Sequence, residues 1–185
     1  MSLSTNKGEP IIGEVMVTRA ELQSRVGELG SKIGSDYLGR DLFVVGVLKG
    51  ALIFLADLLR HLGIPCEIDF MTVSSYGSGT RTSGAVRVVS DLNGSIEGRN
   101  ILIVEDIIES GVTLRYLTRH LKARGAASVE TCALLMKPDQ LRVDVDLRYV
   151  GFQVPDRFVV GYGLDYAERY RNLDHIAVLA KANGD

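Results

Sequence analysis

Leu42–Leu48, LFVVGVL, is seven residues without one polar side chain. A strand with one wet face alternates polar and apolar residues. An unbroken run suits a strand covered on both faces, as in a parallel sheet between helices. Parallel neighbours need long crossovers, and the flanking sequence supplies them. Thr18 and Glu21 have the spacing of a capping box. Leu22, Val26, Leu29 and Ile33 then recur at helical intervals to about Tyr37, although Gly27, Gly30 and Gly34 weaken that helix. Gly50 opens a second helix, ALIFLADLLRHL, which stops at Gly63 and Pro65 and is apolar enough to cover the sheet or join an interface. Further strands are expected at Ile11–Val17, Cys66–Val73, Val86–Leu92, Ser128–Met136, Tyr149–Phe152, Arg157–Tyr162 and Ile176–Ala180. The fold class implied is α/β with a mainly parallel sheet.

Ile101–Arg115, ILIVEDIIESGVTLR, carries the chemistry. An apolar strand ends in Glu105 and Asp106, and a polar loop, Glu109-Ser110-Gly111-Val112-Thr113, leads into a helix at about Val112–Arg124 that Gly125 caps. First-turn N–H groups lack partners within a helix, and its dipole is positive there, so such a loop suits an anion. Carboxylates beside a phosphate cradle suit a ligand that also carries sugar hydroxyls or a metal.

The 185 residues suit one domain, and a net charge of −2 argues against a chain built to neutralise nucleic-acid phosphates. Cys66 and Cys132 lie far apart in apolar segments and read as buried free thiols, which fits a reducing compartment. Met1–Pro10 is polar, lacks the pattern of a signal peptide and is expected to be poorly ordered. No apolar stretch reaches the length of a membrane span, and a cytoplasmic location is expected.

In open α/β sheets, ligands bind beyond the carboxyl ends of the strands. Four polar groupings are expected there: Lys49-Gly50, Glu105–Thr113, Lys137 and Asp165. Singly, each has a plain structural explanation: a solvated turn, a helix cap, a surface lysine, a loop acid. Phe158 reads either as core or as a flat face for a heterocycle. Arg169 and Arg171 suit phosphate, or a surface pairing with Asp174. His61, His120 and His175 are scattered and read as structural or solvent-exposed. Ser74–Gly84, SSYGSGTRTSG, reads as a mobile loop.

VEDIIESGVTL resembles the phosphoribosyl-pyrophosphate signature of type I phosphoribosyltransferases. VLKGALIFLADL, SSYGSGTRTSG, LLMKP and VGFQVPDRFVVGYGLDYAERYRNL narrow the resemblance to the hypoxanthine-guanine branch, from roughly Ile11 onward. The resemblance implies a single domain over 1–185, with a core at about 38–150 and a small hood from about 1–17 and 151–185. It implies Mg²⁺-dependent purine salvage: transfer of the phosphoribosyl group from phosphoribosyl pyrophosphate to hypoxanthine or guanine, giving IMP or GMP and pyrophosphate. It also implies a homodimer or homotetramer, with neither nucleic acid nor membrane as partner.

By the same resemblance, Glu105 and Asp106 hold the ribose hydroxyls, directly or near Mg²⁺, and Glu109, Ser110, Gly111, Val112 and Thr113 cradle the 5′-phosphate. Lys49, with Gly50, and Arg171 contact pyrophosphate, and Lys49 lies where the family often has a non-proline cis peptide. Lys137 donates to the purine 6-oxo group, Phe158 stacks on the ring and the Val159 backbone meets its edge. Asp165 approaches the second metal and, through its carbonyl, the 2-amino group of guanine. Ser75 and Tyr76 belong to a closing loop. One position departs: the family usually has aspartate where this chain has Glu109, the expected base for purine N7. Two rivals are a donor-sensing, nucleic-acid-binding regulator on the same fold and a homologue that prefers xanthine.

Overall fold

The computed structural model describes residues 11–76 and 85–180. In chain order the elements are β1 (Ile11–Val17), α1 (Arg19–Asp36), β2 (Leu42–Leu48), α2 (Leu52–His61), β3 (Glu67–Tyr76), β4 (Ala85–Ser90), β5 (Asn100–Ile108), α3 (Val112–Ala123), β6 (Ser128–Met136), β7 (Tyr149–Gln153), β8 (Val159–Val160) and β9 (Ile176–Ala180). A six-stranded sheet runs in the order β4-β3-β2-β5-β6-β7. All its pairings are parallel except β3 with β4, which is antiparallel at one edge.

The apolar runs are explained by two covered faces. Val44, Leu102 and Val104 join a core with Leu22 and Val26 of α1 and Phe54 and Leu58 of α2. Val45, Val47, Ile101 and Ile103 pack instead with Leu114, Leu117 and Leu121 of α3. The capping box forms as expected: the Thr18 N–H donates to Glu21 Oε2 at 2.8 Å, and the Glu21 N–H to Thr18 Oγ1 at 3.3 Å. Two of the helix-weakening glycines have a packing role. A Cβ on Gly34 would lie 1.8 Å from the Leu62 carbonyl oxygen, and one on Gly30 2.4 Å from His61 Cβ. The lost helix propensity is offset by the close approach of α1 to α2, whose apolar face covers the sheet.

Strands β1, β9 and β8 form a second, antiparallel sheet that joins the two terminal segments. The strand expected over Arg157–Tyr162 is regular only at Val159–Val160. Beyond it, Gly161 at φ 104° and Tyr162 at φ 51° turn the chain away.

Two other boundaries differ from expectation. Strand β5 does not end at Glu105-Asp106: Ile107 and Ile108 still pair with Leu135 and Met136 of β6. Strand β3 continues to Tyr76, with Ser74, Ser75 and Tyr76 opposite Arg87, Val86 and Ala85 of β4, so the expected loop begins as a strand. The rest of that loop, like residues 1–10, lies outside the described residues. Cys132 is buried, whereas Cys66 is only half-buried, and neither is in a disulfide. Among the described residues, no helix is long and apolar enough to cross a membrane.

Candidate active site

Parallel pairing of β2, β5 and β6 brings their carboxyl ends to one edge. Lys49 follows β2, Glu109 follows β5 and Lys137 follows β6, so residues far apart in sequence meet there.

Alternation along β5 sends Glu105 and Asp106 to opposite faces of the sheet. Asp106 turns toward the start of α2, where a Cβ on Gly50 would fall 1.6 Å from its Oδ2. A Cβ on Gly163 would in turn lie 2.1 Å from the Gly50 carbonyl oxygen. Two absent side chains thus let the Lys49-Gly50 turn, the Asp106 carboxylate and the segment after β8 converge. The Leu48–Lys49 peptide is cis. Burial is the main cause that pushes the Asp106 carboxyl up to about 6, opposed by the Ile107 N–H and the Arg171 charge. Glu105 is buried as well, and burial with the Asp106 charge beside it holds its carboxyl well above the usual carboxylate range.

Arg171 is fixed beside this pair. Its Nη1 donates to the Gly163 carbonyl at 2.7 Å, and its Nη2 lies 2.8 Å from Asp165 Oδ1. Asp165 also accepts the Glu168 N–H at 2.9 Å. Arg171 therefore does not pair with Asp174, which meets Arg19 and His175 instead. Tyr166 and Arg169 close a tight turn through mutual backbone hydrogen bonds of 3.1 and 3.0 Å. Phe158 stands more than half exposed, edge-to-face with Tyr166 at 5.8 Å, so the core alternative for Phe158 fails. Val159 pairs with Val178 on one side only, because β8 is a sheet edge.

A second group surrounds Lys137. Its side chain is 6% exposed, and its Nζ donates to Glu109 Oε1 at 2.5 Å. Asp156 Oδ1 lies 3.6 Å away on the other side, and Asp156 Oδ2 accepts from Gln140 Nε2 at 2.5 Å. A buried ammonium needs such partners.

Between the two groups the loop Glu109–Thr113 bends at Gly111, which holds φ 74° at the N-cap of α3 without any side-chain cap. The Ser110 carbonyl accepts the Arg142 N–H at 3.1 Å, and a Cβ on Gly111 would meet Val145 at 2.9 Å. The loop is thus braced from behind while the α3 N-terminus carries no acid to fill its positive end. Ser75 and Tyr76 lie on the β3–β4 ribbon, past Leu48 at the end of β2, opposite Thr72. Their side chains lie outside what is described.

Comparison with known proteins decides what this edge belongs to. The family model for the phosphoribosyl transferase domain matches residues 18–167. The chain is 52% identical over 171 residues to a hypoxanthine-guanine phosphoribosyltransferase of Bacillus subtilis, covering 92% of this chain and 95% of that one. It is 49% identical over 174 residues to the protein of that name in Mycobacterium bovis, covering 91% and 86%. The chain belongs to the hypoxanthine-guanine phosphoribosyltransferase family. A crystal structure of a hypoxanthine phosphoribosyltransferase from Staphylococcus aureus superposes with a TM-score of 0.87, at 45% identity and 91% coverage of both chains.

A hypoxanthine-guanine phosphoribosyltransferase is a transferase of purine salvage, and the mixed, mostly parallel sheet is that of its type I fold. Two residues of this phosphoribosyltransferase escaped the sequence. Asp156 sits in a Pro-Asp turn that looks like any loop, and Glu168 in YAERYR gives no sign of the left-handed backbone, φ 63°, that it adopts. Neighbouring Ala167 and Tyr170 are left-handed too, at φ 50° and 75°.

Proposed function

We propose that this enzyme transfers the phosphoribosyl group of phosphoribosyl pyrophosphate to hypoxanthine or guanine, releasing pyrophosphate and IMP or GMP. The observation that carries this is the 2.5 Å pair of Lys137 and Glu109. A cation and a carboxylate side by side match the oxo group and adjacent ring nitrogen of a 6-oxopurine. Lys137 donates to the oxo oxygen and stabilises charge gathering there, while Glu109 takes or steers the ring proton as a purine nitrogen bonds to C1 of the ribose and the pyrophosphate oxygen leaves. Phe158 offers its exposed ring as a stacking face, and the open edge of β8 offers Val159 backbone groups. The carbonyl of Asp165 meets the 2-amino group of guanine.

The donor lies along the other group. The loop Glu109–Thr113 holds the 5′-phosphate through N–H groups and hydroxyls, Glu105 and Asp106 take the ribose hydroxyls, and Lys49, Gly50 and Arg171 take pyrophosphate. Among the described residues no three acids, cysteines or histidines form a closed metal cage. That suits Mg²⁺, which keeps waters and is usually bound by one or two carboxylates together with substrate phosphates. Burial, which pushes the Asp106 carboxyl up, fits a site where a cation is brought by the substrate. Glu105 and Asp106 would stand near the Mg²⁺ at the ribose, and Asp165 would approach a second metal. When bound, Mg²⁺ neutralises charge on the leaving pyrophosphate. By family precedent, Ser75 and Tyr76 help to keep water from the donor. Free cysteines fit a cytoplasmic setting, and a homodimer or homotetramer follows family precedent.

The test is to mix enzyme, donor, Mg²⁺ and hypoxanthine and follow IMP. Absence of nucleotide overturns the assignment. Competition among hypoxanthine, guanine and xanthine tests base choice, and a clear preference for xanthine would overturn the base assigned here.

A further inference from the structure

We infer that Glu168 is a built-in stand-in for pyrophosphate, a carboxylate that occupies the leaving-group site of the free enzyme and is displaced by the donor. The inference rests on assigning Lys49 and Arg171 to pyrophosphate. One oxygen, Glu168 Oε2, lies 3.0 Å from Lys49 Nζ and 3.4 Å from Arg171 Nη2. The lysine comes from the end of β2, 119 residues earlier in the chain. A single anionic oxygen bridging a lysine and an arginine from separate segments is what a diphosphate oxygen would do in that place.

Two observations separate this from an incidental surface pair. First, the turn that carries Glu168 holds its backbone in an unfavourable left-handed conformation at Ala167, Glu168 and Tyr170. Such strain persists only where surrounding contacts over-determine it, and it gathers at functional sites. Those contacts are the Tyr166–Arg169 backbone pair and the Glu168 N–H held by Asp165. The backbone is thus anchored while the carboxylate stands 65% exposed and able to swing. Second, Arg171 Nε is buried and has no hydrogen-bond partner among the described residues. A guanidinium fixed on Gly163 and Asp165 with one donor unsatisfied is poised for an acceptor that Glu168, on Nη2, does not supply.

Exposed ion pairs are weak, so the stand-in yields readily. Its effect is on the balance of binding and release. It raises the donor concentration needed for half-saturation, and it recaptures Lys49 and Arg171 as pyrophosphate leaves, speeding departure.

The experiment compares wild type with Glu168→Gln, which keeps size and removes charge, and with Glu168→Ala. Binding of magnesium pyrophosphate to the base-free enzyme is measured by calorimetry, alongside a rapid-quench time course of IMP formation. The expected result is affinity about 3- to 30-fold tighter in both variants, since two exposed pairs are removed. A burst of IMP should appear as release slows, with a lower KM for the donor. A purely structural role would weaken binding and turnover together. Unchanged or weaker pyrophosphate binding in both variants, with wild type binding normally, overturns the inference alone. A wild type that neither binds pyrophosphate nor makes IMP overturns the functional assignment with it.

Discussion

Asp106 occupies the space that a side chain on Gly50 would need: a Cβ there would stand 1.6 Å from its Oδ2. A residue at the end of β2 and one inside β5 thereby share a single volume, and the glycine sets how far the carboxylate reaches.

Gly50→Ala should therefore be far more damaging to turnover than to folding. Displacing Asp106 by about 1 Å is enough to cost on the order of 100-fold in rate. Steady-state kinetics set against a thermal melt will show this. Activity near wild type would mean that the carboxylate need not sit where it does.

Replacing Lys137 by alanine should raise the KM for hypoxanthine much more than that for the donor. A charge-assisted hydrogen bond contributes about 1.5–3 kcal/mol, so kcat/KM for the base should fall roughly 10- to 150-fold. Equal losses toward both substrates, measured by varying each in turn, would remove Lys137 from the base site.

Glu109→Asp should keep or raise kcat. Aspartate is one methylene shorter, so the 2.5 Å contact with Lys137 loosens and the ammonium is freer to meet the oxo group. A large fall in single-turnover rate would show instead that the loop before α3 is fitted to glutamate.

The raised carboxyl of Asp106 carries a pH signature. The folded enzyme holds this proton up to about 6, whereas the ordinary value is 3.8. Ionising Asp106 therefore costs stability: the penalty is absent below the ordinary value, grows as pH rises between the two, and is complete above the folded value. Asp106→Asn, which never ionises, should melt several degrees higher than wild type at pH 7.5 in a chelator, and the gap should close by about pH 4. Melting curves across that range decide it, and a gap independent of pH would contradict the assigned cause.

Much of this was written in local pattern. The runs of β2 and β5 required two covered faces, and Thr18 with Glu21 announced α1 because a capping box is a contact across three residues. Asp106 is visible in the sequence as an acid, but no local rule says that Ile107 and Ile108 beyond it keep pairing with β6. Gly30 and Gly34 looked like flaws until α2 lay against them. Asp156 and Glu168 were hidden for a different reason: their partners Lys137 and Lys49 lie 19 and 119 residues away, and neither turn has a pattern that a sequence must obey.

The two sheets also divide inheritance. Asp106 belongs to, and the Glu109–Thr113 loop follows, the strand flanked by β2 and β6, where any change disturbs two neighbours, while Phe158 precedes and Val159 opens a two-residue edge strand with one neighbour. Substitutions can accumulate at the exposed positions 155–158 without unsettling the centre of the large sheet, whereas Val154, Val159, Tyr162 and Leu164 share its core with Val44 and Leu102. On the roles proposed above, descendants of this chain could exchange one acceptor base for another while keeping an ancestral grip on the sugar phosphate.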